Sequence, residues 1–173
     1  KGNHRMKVLI LHFRSAPKGE GSYRSKVDVT NSAGTDGVSL EMMKREALLK
    51  QMGHEVDICS ACDWSDLPIA ALEFDSEGVM RIMRNLFGVS ISDFSDEAEL
   101  KCVFRGAVEE LKRELGAAVE ASKPDVLFVH NMLCLPVHPV ATVGLAELLT
   151  DLRLSCVAIH HDVLSEGAYK FKP

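Results

Sequence analysis

The sequence predicts an α/β fold: a Rossmann-like, three-layer α/β/α arrangement around a mainly parallel sheet. Three observations carry this. Short apolar runs alternate with helical stretches along the chain. Such alternation is the pattern of a parallel sheet covered by helices. The runs also end abruptly in polar, reactive side chains. Met6–Leu11 runs into His12, Val56–Cys59 into Ser60 and Asp63, Val126–Val129 into His130-Asn131, and Cys156–Ile159 into His160-His161-Asp162. In open parallel sheets, ligands bind outside the carboxyl ends of the strands. The histidines at three of these ends therefore mark a candidate site.

The first strand is read as Lys7–His12. A long loop follows, Phe13–Thr35, with several lysines and arginines. Loops beyond about 12–15 residues are usually functional or mobile. Gly37–Met52 reads as a helix, its stripe formed by Val38, Met42, Ala47, Leu48, Leu49 and Met52, with Glu41, Lys44, Arg45 and Lys50 elsewhere. Gly53 stands where a C-terminal cap belongs. His54–Ile58 then alternates like a strand.

The stretch from Asp63 to Asp93 is irregular and is read as an excursion at about 63–94, with a short helix over Val79–Phe87. Ser95 is the expected N-cap of the next helix, with Asp96, Glu97 and Glu99 in its positive first turn. That helix runs to about Ala121, with Leu100, Val103, Phe104, Ala107, Val108, Leu111, Leu115 and Ala118 on one face. Lys123-Pro124 ends it. Asp125–His130 is the third strand, Pro139–Leu152 a helix, and Leu154–Ile159 the fourth strand. Strand order is not legible at this level.

Composition narrows the function classes. The chain has 173 residues, 46% apolar and 26% charged, as an ordinary globular domain does. Residues 6–173 are read as a single domain. Lys1–Arg5 precede a natural start at Met6 and are read as an expression scar, outside the fold. A net charge of −5 argues against nucleic acid or an anionic membrane as the main partner. No apolar run approaches the roughly 20 residues of a spanning helix, so no transmembrane segment is expected, and peripheral membrane contact stays open. Five cysteines, most in apolar stretches, fit a reducing, cytoplasmic setting. Cys59 and Cys62 have redox spacing but follow a strand, which favours a structural reading.

Thr35-Asp36-Gly37-Val38 feeds the first helix. Glycine at a helix entry lets the backbone approach a ligand, and a helix N-terminus favours phosphate. Equally, Asp36 can be a plain N-cap. His130 is placed to accept a proton near neutral pH, or to be satisfied by backbone. His138 lies in a proline-bounded turn, as a surface or helix-entry residue. His54 lies at the wrong end of its strand and is structural. In His160-His161-Asp162, adjacent residues on extended chain point to opposite sides, so at most one histidine faces the cleft. Asp162 is suited to orienting an imidazole or bonding a hydroxyl. A metal site would need His12, His130, His161 and Asp162 to converge, and no metal-ligand spacing supports one.

These segments, in order, resemble a known family. Met6-Lys7-Val8-Leu9-Ile10-Leu11, Asp36-Gly37-Val38-Ser39-Leu40-Glu41, Gly53-His54-Glu55-Val56, Lys123–Asn131 and Val157–Asp162 resemble the N-terminal, acceptor-side domain of GT-B glycosyltransferases, most like the retaining family 4 group. The resemblance covers most of Met6–Asp162 outside the excursion. It implies transfer of a hexose from a nucleotide sugar to an acceptor, with no metal and no cofactor. It implies that Gly37 and Val38 approach the donor diphosphate or the acceptor. The family's usual Gly-Gly turn reads Asp36-Gly37 here. His130 becomes the candidate catalytic residue, contacting acceptor or stabilising the transition state. His12, Asn131, His161 and Asp162 line the cleft. The family's second, nucleotide-binding domain has no counterpart before Pro173, so transfer by these residues alone is not expected. The basic loop fits a phosphorylated or carboxylated acceptor. Two other readings stand beside this one: a non-catalytic Rossmann-like module binding a nucleotide or a protein, and a fragment of a GT-B-fold sugar-nucleotide epimerase.

Overall fold

The structure is a computed structural model that describes residues 4–15, 37–88, 90–134 and 137–161. Among the described residues, five strands form one sheet: β1 (Lys7–Leu11), β2 (Glu55–Ser60), β3 (Leu67–Pro68), β4 (Val126–His130) and β5 (Cys156–Ile159). Every pairing is parallel, in the order β3-β2-β1-β4-β5. The Rossmann-like α/β fold expected from the sequence is the one observed. The helices are α1 (Gly37–Gln51), α2 (Glu77–Phe87), α3 (Glu97–Ser122) and α4 (Pro139–Leu152), with a 3-10 turn at Ala70–Leu72.

The apolar runs are strands because the sheet is covered on both sides. Val8, Ile10, Val56 and Ile58 point to one face, against Met42 of α1. Leu9, Leu11, Leu127 and Val129 point to the other, against α3 and α4. A strand buried on both faces needs apolar residues at every position rather than at alternate ones.

The α1 stripe is narrower than its sequence suggests. Val38, Met42 and Leu49 pack on the sheet, whereas Ala47, Leu48 and Met52 are exposed. At about 100° per residue, Leu48 is turned a quarter circle away from Leu49. Gly53 does cap the helix, at φ +89. His54 N donates to Leu49 O at 3.0 Å, and His54 Nδ1 accepts from Met6 N at 3.2 Å. His54 is thus a structural residue at the amino end of the sheet.

The excursion is more ordered than expected. It contributes β3, whose Leu67 and Pro68 extend the sheet beyond β2. It also contains α2, which starts two residues before the expected Val79, with Ser76 Oγ accepting from Val79 N as its cap. The cap of α3 is Asp96 rather than Ser95: Asp96 Oδ1 accepts from Glu99 N at 2.8 Å. Ser95 instead donates its N–H and hydroxyl to Glu99 Oε2, closing a reciprocal box around the same turn.

Helices α3 and α4 cross closely because Gly144 has no side chain. A Cβ there would lie 3.4 Å from Leu111 Cδ2 and 3.5 Å from the Val108 carbonyl oxygen. Leu111, Leu115, Leu145 and Leu148 fill the seam. At its rim Glu147 accepts from Arg105 at 2.7 Å and Lys112 at 3.1 Å, which draws its carboxyl down to about 2. Lys123, at φ +50, turns the chain out of α3, and Pro124 prevents continuation.

Candidate functional site

The order β3-β2-β1-β4-β5 fixes where a site belongs. The chain moves outward from β1 to β2 and β3, then returns to the other side of β1 to lay down β4 and β5. The reversal opens a crevice at the carboxyl ends of β1 and β4. His12 directly follows β1, His130 ends β4 and His161 follows β5.

The structure brings His12, His130, Asn131 and His161 into one bonded cluster. His12 Nδ1 donates to the His130 carbonyl oxygen at 2.8 Å. Since a carbonyl only accepts, the His12 hydrogen on that bond sits on Nδ1. His130 Nδ1 lies 3.0 Å from His161 Nε2, with the rings 23° from parallel. Asn131 adopts the left-handed conformation, φ +56, which asparagine tolerates better than most residues. In that position its N–H donates to Ile159 O at 2.9 Å and its Oδ1 accepts from His161 N at 2.7 Å. Asn131 therefore fastens the end of β5 to the end of β4 and holds His161 over His130. His160 is exposed and takes no part in this cluster, as the alternation of extended chain requires.

His130 is fully buried, and its Nε2 has no hydrogen-bond partner among the described residues. Burial is the main reason that its imidazole is pushed down to about 3, with Arg45, His161 and His12 adding repulsion and Glu41 partly offsetting it. This corrects the expectation of a proton acceptor near neutral pH. The ring is neutral there, and a neutral imidazole acts by hydrogen bonding rather than as a charged group.

Glu41 and Arg45 were not expected at the site; the sequence pattern placed them away from the apolar stripe. They form an i,i+4 ion pair at 3.3 Å on α1, and both act electrostatically on His130. Their i,i+4 spacing on a helix that follows the first strand was the available signal. Gly37, the first residue of α1, is exposed, and a Cβ there would meet nothing within 4 Å. Val38 turns its side chain toward the sheet, leaving its backbone as the part suited to a ligand. Asp162, Asp36 and all but Phe13–Ser15 of the basic loop lie outside the described residues.

The remaining candidates are structural. His138 is buried rather than on the surface, and it is the N-cap of α4. Its Nδ1 accepts from Ala141 N at 3.2 Å, so its Nε2–H donates to Ala71 O at 2.9 Å. Phe13 stacks on it at 5.8 Å. A cavity of about 220 Å³ opens beside it, lined by Val79, Ile82, Phe94, Leu111 and Val140 among others. All five cysteines are free. Burial raises the Cys59 thiol to about 12, which makes it inert and supports the structural reading of the Cys59–Cys62 pair.

The buried imidazoles have a consequence for stability. Between about pH 6.5 and about pH 3, the unfolded chain protonates the His130 position while the folded chain resists it. The unfolded state then binds more protons, so stability falls as pH falls through this window. His138 is lowered in the same direction, chiefly by burial. Above the ordinary carboxylate range, near pH 5, loss of carboxylate pairs adds little. Thermal melts from about pH 7 to 5 are therefore expected to show a declining Tm, with a shallower decline in His130→Gln. Equal slopes in the two proteins would contradict this.

No helix among the described residues is long and apolar enough to cross a membrane. No group of three or more His, Cys, Asp or Glu side chains among them converges as a metal-ligand set. No family model matches the chain, and no solved structure matches it. A curated relative does: mannosylglucosylglycerate synthase of Thermotoga maritima is 36% identical over 159 residues, which is 91% of this chain and 32% of that protein. The chain is homologous to this synthase over most of its own length, and it spans about a third of the length of the synthase.

Proposed function

We propose that these residues form the acceptor-side half of a retaining GT-B glycosyltransferase, similar to family 4, that moves a hexose from a nucleotide sugar to a carboxylated acceptor. The observation that carries this reading is the unpartnered Nε2 of buried His130 at the switch point of the sheet. A buried polar atom without a partner costs stability, typically about 1–3 kcal/mol. A ligand oxygen would supply the partner. The homology supports the same reaction class, because mannosylglucosylglycerate names a product that joins two hexoses to a glycerate. Glycerate is a carboxylate, which agrees with the basic loop read from the sequence.

In this reading His130 Nε2 bonds a sugar or phosphate oxygen at the reacting end of the donor. His12 and Asn131 fix the backbone that carries it. The exposed N-terminus of α1 offers the N–H groups of Gly37 and Val38 to the diphosphate, with the helix dipole favouring negative charge. His161 lines the acceptor side. A second α/β wall, supplied by the intact enzyme, holds the nucleotide. No step here calls on a metal or a cofactor.

Gly37 separates binding from folding. Alanine meets no steric obstacle there and favours helix by up to about 1 kcal/mol. Gly37→Ala is therefore expected to preserve or slightly raise Tm. It should weaken nucleotide-sugar binding by roughly tenfold, since a methyl group now stands where the phosphate approaches. Calorimetry with UDP, GDP and ADP sugars on the intact enzyme checks it. Unchanged affinity for the preferred donor would remove Gly37 from the site. Absence of hexosyl transfer with every donor and carboxylated acceptor would overturn the reading as a whole.

A further inference from the structure

We infer that His161 donates from Nε2 to Nδ1 of His130, and thereby fixes the buried ring as the tautomer that carries its hydrogen on Nε2. His161 is then a positioning residue: it acts through His130, and the result is a hydrogen-bond donor aimed at a ligand oxygen. This deepens the proposed function and rests on it only for which oxygen is bound.

Two arrangements satisfy the 3.0 Å contact between His130 Nδ1 and His161 Nε2. Either His130 donates and its Nε2 is left as a bare lone pair, or His161 donates and His130 carries its hydrogen on Nε2. The surroundings choose between them. His161 is exposed, and His130 is wholly buried. A charge on an exposed ring is solvated, whereas a charge on a buried ring is not. Burial keeps the His130 ring neutral, so one of its two nitrogens is a bare lone pair. With His161 donating, that lone pair is the Nδ1 already in contact, and the open Nε2 is left as a donor for a ligand. The charged groups around the pair agree. Glu41 on α1 interacts favourably with His161, while Arg45 on α1 and His12 after β1 disfavour charge on His130. Asn131 holds His161 in place through the 2.7 Å bond from its backbone N–H. The ring that faces the ligand thus has its polarity set by a residue one strand away.

Nitrogen NMR of histidine side chains reads the tautomer directly, with no ligand and no turnover. The expected wild-type pattern is a protonated Nε2 and an unprotonated Nδ1 on His130. His161→Glu replaces the donor with an acceptor, and it should move His130 toward the Nδ1–H form by about fivefold or more, the ratio that one ordinary hydrogen bond sustains. His161→Gln retains an N–H donor and should keep the wild-type tautomer. Amide shifts of β4 and β5 report whether each variant keeps the fold. A wild-type His130 protonated on Nδ1 overturns the inference by itself, whatever the variants do. A folded His161→Glu protein with an unmoved tautomer overturns it as well. Failure of nucleotide sugars to bind would count against the proposed function and leave this result standing.

Discussion

On the proposed function, replacing His130 with glutamine is expected to slow hexosyl transfer by about 10²–10³-fold, with a smaller change in KM. The magnitude is that of removing one preorganised donor from a site where charge develops. His130 is fully enclosed, held through its carbonyl by His12 and through its ring by His161. Its remaining nitrogen has no partner among the described residues. A donor fixed in this way needs no reorganisation when a leaving oxygen gains charge. Glutamine is close in volume and polar, so the fold should persist, but its amide cannot meet both His161 and a ligand with the same geometry. Steady-state kinetics with the wild-type donor checks the loss. An unchanged kcat would show that His130 serves only the fold.

The largest expected effect on stability lies far from that site, at the seam of α3 and α4. Leu111→Ala should destabilise the protein by about 2–5 kcal/mol, the usual range for emptying a core leucine site. Leu111 is completely buried and sits against Gly144, where the helix backbones approach too closely to collapse further. The cavity therefore stays open. Val103, on the same helix but exposed, provides the comparison: Val103→Ala should change stability by no more than about 0.5 kcal/mol. Denaturant melts of both variants test this. Similar midpoints for the two would contradict the packing described for the seam.

Much of this was legible in the sequence, for physical reasons that differ between elements. β1, β4 and α4 were readable because a run buried on both sides, or a proline at a helix start, leaves an unambiguous local pattern. β3 was not, because a two-residue strand closed by Pro68 is defined by its pairing with β2 rather than by its own composition. Leu48 and Met52 were assigned to the buried stripe because α1 carries apolar residues on more than one face. At the site, the position of His130 was readable from the run that ends in it. Its chemistry was not, since the shift away from ordinary imidazole behaviour comes from burial beneath elements distant in the chain. The same holds for Glu41 and Arg45, which act on His130 only because α1 packs back on the sheet. Asn131 had a role that no pattern announces: a left-handed turn that ties β4 to β5.

In the proposed function, the carboxyl ends of β1 and β4 form one wall of a nucleotide-sugar cleft. Its most direct test is a titration of the histidine-labelled intact enzyme with UDP, GDP and ADP sugars, followed by nitrogen NMR. One donor class should shift the His130 Nε2 signal, together with the amides of Gly37 and Asn131, and the shifts should saturate together. Shifts confined to the cavity beside His138, or a His130 signal unmoved by a donor that demonstrably binds, would contradict the account.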